Sequence, residues 1–298
     1  MGREPQHERK NCNAINVISI RRPECAKQEK AGGFTLIDLL AVITLIAILA
    51  GILLPSVSAT KVRARDIECR SNQRQIDLSY HLRLADRTGS RLDGPEIVDW
   101  QVQEFGRAEL GWICPLAPAR VKSGWINNGN PLSGSVFAAW EDPGWLQDGG
   151  DQPLFGPNIR CGSYSVNEYL TAAALYERWP TYSHAPDPHV FTVETQVPHP
   201  EATPVLCDGV SEHALPYATD LPPTDLNGRF STGIATLSIP RHGNHPNPIP
   251  TNWPRNSRLP GSINMAFFDG HGESVRIERL WEFFWHKDYV APNSRPGL

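Results

Sequence analysis

Several common chemistries are missing from this chain. Its 298 residues contain no Cys-x-x-Cys, no His-Glu-x-x-His and no Gly-x-Ser-x-Gly. The first absence removes the zinc ribbon and the thioredoxin-type site. The others remove the helix-borne zinc hydrolase and the serine nucleophile on a strand–turn–helix. Clustered basic residues are lacking too, with 28 Lys and Arg against 32 Asp and Glu and a formal charge of −4. Phosphate binding needs concentrated positive charge, so no nucleic-acid partner is expected. The first 33 residues have no apolar core of the kind a secretory signal peptide carries. Charge is scarcest from Phe34 to Leu54, where Asp38 is the single charged side chain in 21 residues.

That apolar run, closed by Pro55, is long enough as a helix to cross a hydrocarbon core of about 30 Å. A helix also satisfies its own backbone in lipid. A carboxylate inside such a segment costs about 2.5–3.5 kcal/mol and marks a function or a partner. If the chain were cut after Gly33, Phe34 would carry a new α-amino group, one helical turn from Asp38.

The string Gly33-Phe34-Thr35-Leu36-Ile37-Asp38, followed by a full apolar helix, closely resembles the processing site of type IV prepilins and type II secretion pseudopilins. The resemblance implies removal of a cytoplasmic leader, 1–33, by a membrane prepilin peptidase that also N-methylates Phe34. It implies that Asp38 meets the new amine during assembly with other pilin-like subunits, although those families typically place Glu there. It further implies an α+β, pilin-like fold: a long N-terminal helix, membrane-embedded over 34–54 and continuing over 55–88, laid on an antiparallel sheet. The leader carries seven Lys or Arg and four Glu. Basic residues also flank the far end of the apolar run, so the processing site, rather than charge, orients the chain with its N-terminus in the cytoplasm and 89–298 outside the inner membrane.

Beyond the apolar run, helical pattern resumes at Ser56 and is expected to stop near Thr88-Gly89, with Pro55 kinking the helix. Val57, Ala64, Ile67, Ser71, Leu78 and Leu82 are expected to form the buried seam. Cys12 and Cys25 leave with the leader, and Cys69, Cys114, Cys161 and Cys207 face an oxidising compartment, where three pairings are open to them. Ile263–Phe268 and Glu273–Ile277 read as strands about an Asp269-Gly270 hairpin turn. Leu280, Trp281, Phe284 and Trp285 read as the core face of a terminal helix.

Further segments resemble a large group of prepilin-like proteins named for a His, nine residues, then Asp-Gly. They are Cys69–Ile76, Trp112–Pro115, Cys161–Asn167, Pro204–Gly209, Arg241–Gly243 and Asn264–His271. The signature residues are His242, Asn264, Asp269 and Gly270. Here 26 residues separate His242 from Asp269, and the extra length falls in the Pro-rich stretch 244–261. Cys161–Asn167 reads as a strand leading into a short helix, Tyr169–Trp179.

Three other chemistries are compatible with particular residues. His242, His245, Asp269 and His271 would make a metal or hydrolytic site if they converged, but their spacing is wrong for a preformed helix site. Asp208-Gly209 and Asp148–Asp151 have calcium-compatible oxygens and read first as turns. Trp125, Trp140 and Trp145, among Gly, Pro and Asn, would suit a tethered extracytoplasmic binder of carbohydrate that does not polymerise. The expectation is a structural pseudopilin-like subunit, without catalysis, metal or cofactor.

Overall fold

A computed structural model of the chain describes residues 33–85, 91–92, 94–119, 133–142, 160–171, 187–228 and 232–298. The leader, Trp125, Trp145, Asp148–Asp151 and the expected helix beyond Thr171 lie outside these residues. The fold is α+β, and the chain divides into two compact units, Met1–Leu54 and Pro55–Leu298.

Helix α1, Leu36–Ala85, is one unbroken helix of 50 residues with Pro55 inside it. Its start is set locally by Thr35 and Asp38. Thr35 Oγ1 accepts from the Asp38 backbone amide at 3.2 Å, while the Asp38 carboxylate accepts from the Thr35 amide at 3.0 Å and its hydroxyl at 2.8 Å. This is a capping box, with each side chain satisfying a backbone donor of the first turn. The apolar residues that follow are exposed along their length, and this is the one helix among the described residues long and apolar enough to cross a membrane.

In the second unit, α1 buries Cys69, Gln73, Ile76, Asp77, Tyr80 and Leu84. The expected seam is therefore wrong. Ile67, Leu78 and Leu82 are 60%, 59% and 59% exposed, on the opposite side of the helix at 3.6 residues per turn. Polar residues occupy much of the buried face because distant backbone offers them partners: Gln73 Nε2 donates to the Asn264 carbonyl at 3.1 Å, and Tyr80 to that of Leu170 at 3.2 Å. A pattern search for apolar spacing selects the other side.

Helix α2, Pro95–Glu104, starts with Pro in its first turn and buries Ile97, Val98 and Trp100. Trp100 Nε1 donates to Ser79 Oγ at 2.8 Å, tying α2 to α1. Strands β1 (Trp140–Asp142) and β2 (Arg160–Gly162) form a small antiparallel pair. The main sheet has the order β5-β3-β4-β6-β7, from β3 (Tyr164–Asn167), β4 (Pro204–Asp208), β5 (His213–Ala214), β6 (Ser262–Phe267) and β7 (Gly272–Arg276). Its pairs are antiparallel except β3–β5.

The central strands β4 and β6 are buried throughout. Leu206 and the opposing Ala266 join the core on the α1 side, whereas Cys207 and the opposing Met265 join a second core with Trp281 and Trp285. The β6–β7 hairpin turns as expected at Asp269-Gly270, where Gly270 takes φ +87° and Asp269 accepts from the His271 amide at 3.0 Å. The expected terminal helix is instead a 3₁₀ segment, Ile277–Glu282. Ile277, Leu280 and Phe283 are buried at a spacing of three, the period of that tighter helix, so Phe283 rather than Phe284 enters the core.

The extra residues 244–261 leave His242 in register. The backbones of His242 and Ser262 exchange both hydrogen bonds, at 2.9 and 2.8 Å, so the insertion closes on itself at its base. It is docked as well: the Leu226 amide donates to the Pro250 carbonyl at 3.0 Å and the Trp253 amide to Thr224 at 2.7 Å.

Candidate functional site

At the processing site, Gly33 and Phe34 are exposed. A side chain at Gly33 would meet no atom within 4 Å, and its φ lies outside the left-handed region. Among the described residues, nothing in the packing requires glycine there.

The second concentration of function-bearing residues is buried under α1. Asp66 and Cys69 sit three residues apart on one helix face. Cys114 follows a short 3₁₀ turn, Ala108–Leu110, that ends in Gly111 at φ +88°. Asp208 ends β4, Asn264 lies in β6, and Arg241 and His242 enter beside Ser262. Four segments far apart in the chain, 112–115, 204–209, 241–243 and 264–271, thus meet α1 at one point.

Arg241 is held on all five of its N–H groups. Nε donates to the Val136 carbonyl at 3.2 Å, and Nη2 to the carbonyls of Ser135 at 2.9 Å and Gly209 at 3.0 Å. Nη1 donates to the Ser163 carbonyl and to Asp208 Oδ1, the latter at 3.0 Å. Asp208 Oδ2 accepts from the Asn264 amide at 2.7 Å and lies 3.0 Å from His242 Nε2. The other ring nitrogen, Nδ1, lies 2.8 Å from Asp66 Oδ1. Asn264 Nδ2 lies 3.2 Å from His242 Nε2 and donates to Asp66 Oδ1 at 3.0 Å. Cys114 Sγ is 3.8 Å from His242 Nε2, and Cys69 Sγ is 3.6 Å from Asp208 Oδ1.

The electrostatics follow from this crowding. Burial acts to raise the Asp208 carboxyl, but the charges of His242 and Arg241 outweigh it and hold it below the ordinary range. Burial acts to lower His242, and the carboxylates of Asp208 and Asp66 reverse this, pushing it up to about 11. The hydrogen bond from His242 holds Asp66 below its usual value. Burial lifts the Cys69 thiol, whereas at Cys114 the opposing effect of burial is overcome by its contacts to Cys69 and His242, bringing it to about 6.

A low thiol beside a cationic imidazole is the equipment of a cysteine nucleophile. Here Cys114 is 0% and His242 3% exposed, so no substrate reaches either. The cluster is built to hold something small or to hold the fold.

Comparison of the chain with protein-family models, with curated proteins and with solved structures gives no match.

The signature residues divide between two places. His242 and Asn264 join the buried cluster, while Asp269 and Gly270 form the hairpin turn at the far end of β6. His245 bonds its neighbour's carbonyl at Pro246, and His271 stays on the hairpin against Asp269, so the four-residue site of His242, His245, Asp269 and His271 does not form. Asp208 is not part of a surface turn: it is fully buried. Its neighbour Gly209 is needed for space, since a Cβ there would fall 1.7 Å from Ser165 Oγ.

All four cysteines outside the leader are free thiols. Cys69 and Cys114 share the cluster, Cys161 is half-buried on β2, and Cys207 lies in the second core. Of the loop tryptophans, Trp140 is buried, with its indole donating to the Tyr164 carbonyl at 3.0 Å, and offers no ligand platform. Apolar and turn patterns missed the roles of Asp66, Gln73 and Asp208. The one local signal was the i, i+3 and i, i+4 spacing of Asp66 and Gln73 to Cys69.

Proposed function

We propose that the chain is a prepilin-like structural subunit, cut after Gly33, N-methylated on Phe34, and assembled with like subunits in a secretion or pilus-type envelope machine. The carrying observation is the uncovered apolar rod of α1 from Leu36 to Leu54, whose lone charge, Asp38, sits in the first turn beside the cut. Such a rod is stable only in lipid or against other apolar helices.

Two further observations support the reading. A side chain at Gly33 would meet no atom of the described residues, which is consistent with glycine being there for recognition by a peptidase. In the second unit, the exposed Ile67, Leu78 and Leu82 form an apolar stripe on the side of α1 away from the sheet, where neighbouring helices of an assembly would lie. The test is the N-terminal mass of the mature protein from its native membrane. A chain beginning at methyl-Phe34 is expected, and a retained leader overturns the proposal.

A further inference from the structure

The buried cluster holds more ligand chemistry than a structural ion pair needs. Sγ of Cys69, Sγ of Cys114, a carboxylate oxygen of Asp208 and a ring nitrogen of His242 all lie within 4.8 Å of one another. All four residues are buried. In a tetrahedral site with bonds of about 2.0–2.3 Å, ligand atoms stand about 3.3–3.8 Å apart. With Oδ2 as the Asp208 ligand, three of the separations here are 3.9 Å (Cys69 Sγ to Asp208 Oδ2), 3.8 Å (Cys114 Sγ to His242 Nε2) and 3.0 Å (His242 Nε2 to Asp208 Oδ2), around that range.

The surroundings are those of a metal centre. A metal-ligating histidine almost always gives its second nitrogen to a carboxylate or carbonyl, which fixes the ring. His242 turns Nδ1 to Asp66 at 2.8 Å and leaves Nε2 among Asp208, Asn264 and Cys114, more neighbours than one ring nitrogen can bond. Gln73 Nε2 donates toward Cys69 Sγ at 3.9 Å. Arg241 and the Asn264 amide fix the Asp208 carboxylate. The amide oxygens of Gln73 and Asn264 are buried and find no hydrogen-bond partner among the described residues, an imbalance at the cluster's edge.

Thiols are weak hydrogen-bonding groups, and two of them enclosed beside a carboxylate and an imidazole gain little by themselves. We infer that Cys69, Cys114, Asp208 and His242 form a closed, four-ligand structural site for a divalent transition ion of the zinc class. Two sulfurs, one nitrogen and one oxygen match the borderline-soft preference of that ion. On binding, the two thiols and Nε2 give up their protons, and the ion takes the place of the Nε2 proton between His242 and Asp208. With all four ligands supplied by protein, no position is left for substrate, and the ion locks α1 to β4 and to the His242 segment. The inference does not depend on filament assembly.

The test uses the full chain in detergent, refolded with zinc or cobalt(II) alone under reducing conditions. One ion per chain is expected, with thiolate-to-cobalt charge-transfer absorption and tetrahedral d–d bands in the cobalt form. Cys69 and Cys114 should resist alkylation until a chelator is added. Cys114→Ser should abolish the charge-transfer signal of that sulfur, whereas Cys207→Ser, outside the cluster, should leave stoichiometry unchanged. Asp66→Asn, a milder change that keeps the four ligands, should weaken affinity about 10–100-fold, as loss of a ligand-orienting partner does. The site is overturned by a folded chain with no bound ion and freely alkylated thiols. It is equally overturned by a Cys69–Cys114 disulfide, seen as loss of two hydrogens in the mass of the chain from its native membrane.

Discussion

Arg241 and Asp208 meet at 3.0 Å with both side chains fully excluded from water. Among the described residues Asp208 is the only carboxylate on Arg241, and the guanidinium's other four N–H groups end on the carbonyls of Ser135, Val136, Ser163 and Gly209, from three segments of the chain. Removing one member of a buried pair leaves the other uncompensated, at a cost of about 3–5 kcal/mol. Arg241→Met should lose that amount in chemical denaturation, and Arg241→Lys nearly as much, since an ammonium cannot serve five fixed positions.

Gly209 should be equally intolerant for a steric reason. Gly209→Ala would place a methyl 1.7 Å from Ser165 Oγ and 2.6 Å from its Cβ, overpacking worth about 1–3 kcal/mol or more. The double variant Gly209→Ala with Ser165→Ala should recover part of the loss in melting temperature, and no recovery would argue that backbone conformation is the cause instead.

Asp38 caps the helix through Thr35, and in the proposed subunit it would also meet the amine of a cut chain. Thr35→Ala removes the cap partner and keeps the carboxylate, so processing and assembly should persist, with about 1 kcal/mol lost locally at the helix start. Asp38→Ala should leave cleavage intact but lower the fraction of chain crosslinked through its N-terminal helices. Equal assembly by both variants and the wild type would remove the pairing role.

Leu78→Asp gives the complementary test on the second unit. The residue is 59% exposed, so its replacement should change stability by no more than about 0.5 kcal/mol. A subunit that packs through this stripe should nevertheless lose incorporation into filaments, measured by pelleting. Unchanged incorporation would place the helix contact elsewhere.

His286 predicts a pH dependence. It is buried, with its ring 4.5 Å from that of His189 and near Tyr169, Tyr217 and Tyr289, while Asp187 and Asp288 act on it from the same surroundings. Burial, then the neighbouring His189, push it from the ordinary 6.5 down to about 4. Between those values the unfolded chain binds more protons than the folded one, so the His286 contribution is present above pH 6.5 and is lost as pH falls toward 4. Denaturation midpoints of His286→Asn should fall less steeply across that window than those of the wild type.

What the sequence disclosed follows the range of the forces involved. The apolar run of α1, the Asp-Gly hairpin and the β4 and β6 strands are written in local patterns, and they stand where expected. The buried face of α1 was misjudged because Gln73 and Tyr80 enter the core through the carbonyls of Asn264 and Leu170, far away in the chain, which no periodicity announces. The same holds for the cluster. Cys69, Cys114, Asp208 and His242 come from a helix, a loop, a strand end and a bridge, so no spacing rule joins them. Their co-location is a property of the sheet order.

The outer strand β7 has one last consequence. An exposed sheet margin is a template for foreign strands, and crowding many copies along one membrane or filament multiplies the hazard. Here one margin, β7, carries Glu273, Ser274 and Arg276, and the other, β5, is only two residues long. Neither offers a long apolar ladder for recruitment. If copies stand side by side through their helices, as proposed, these margins would protect them from runaway strand exchange.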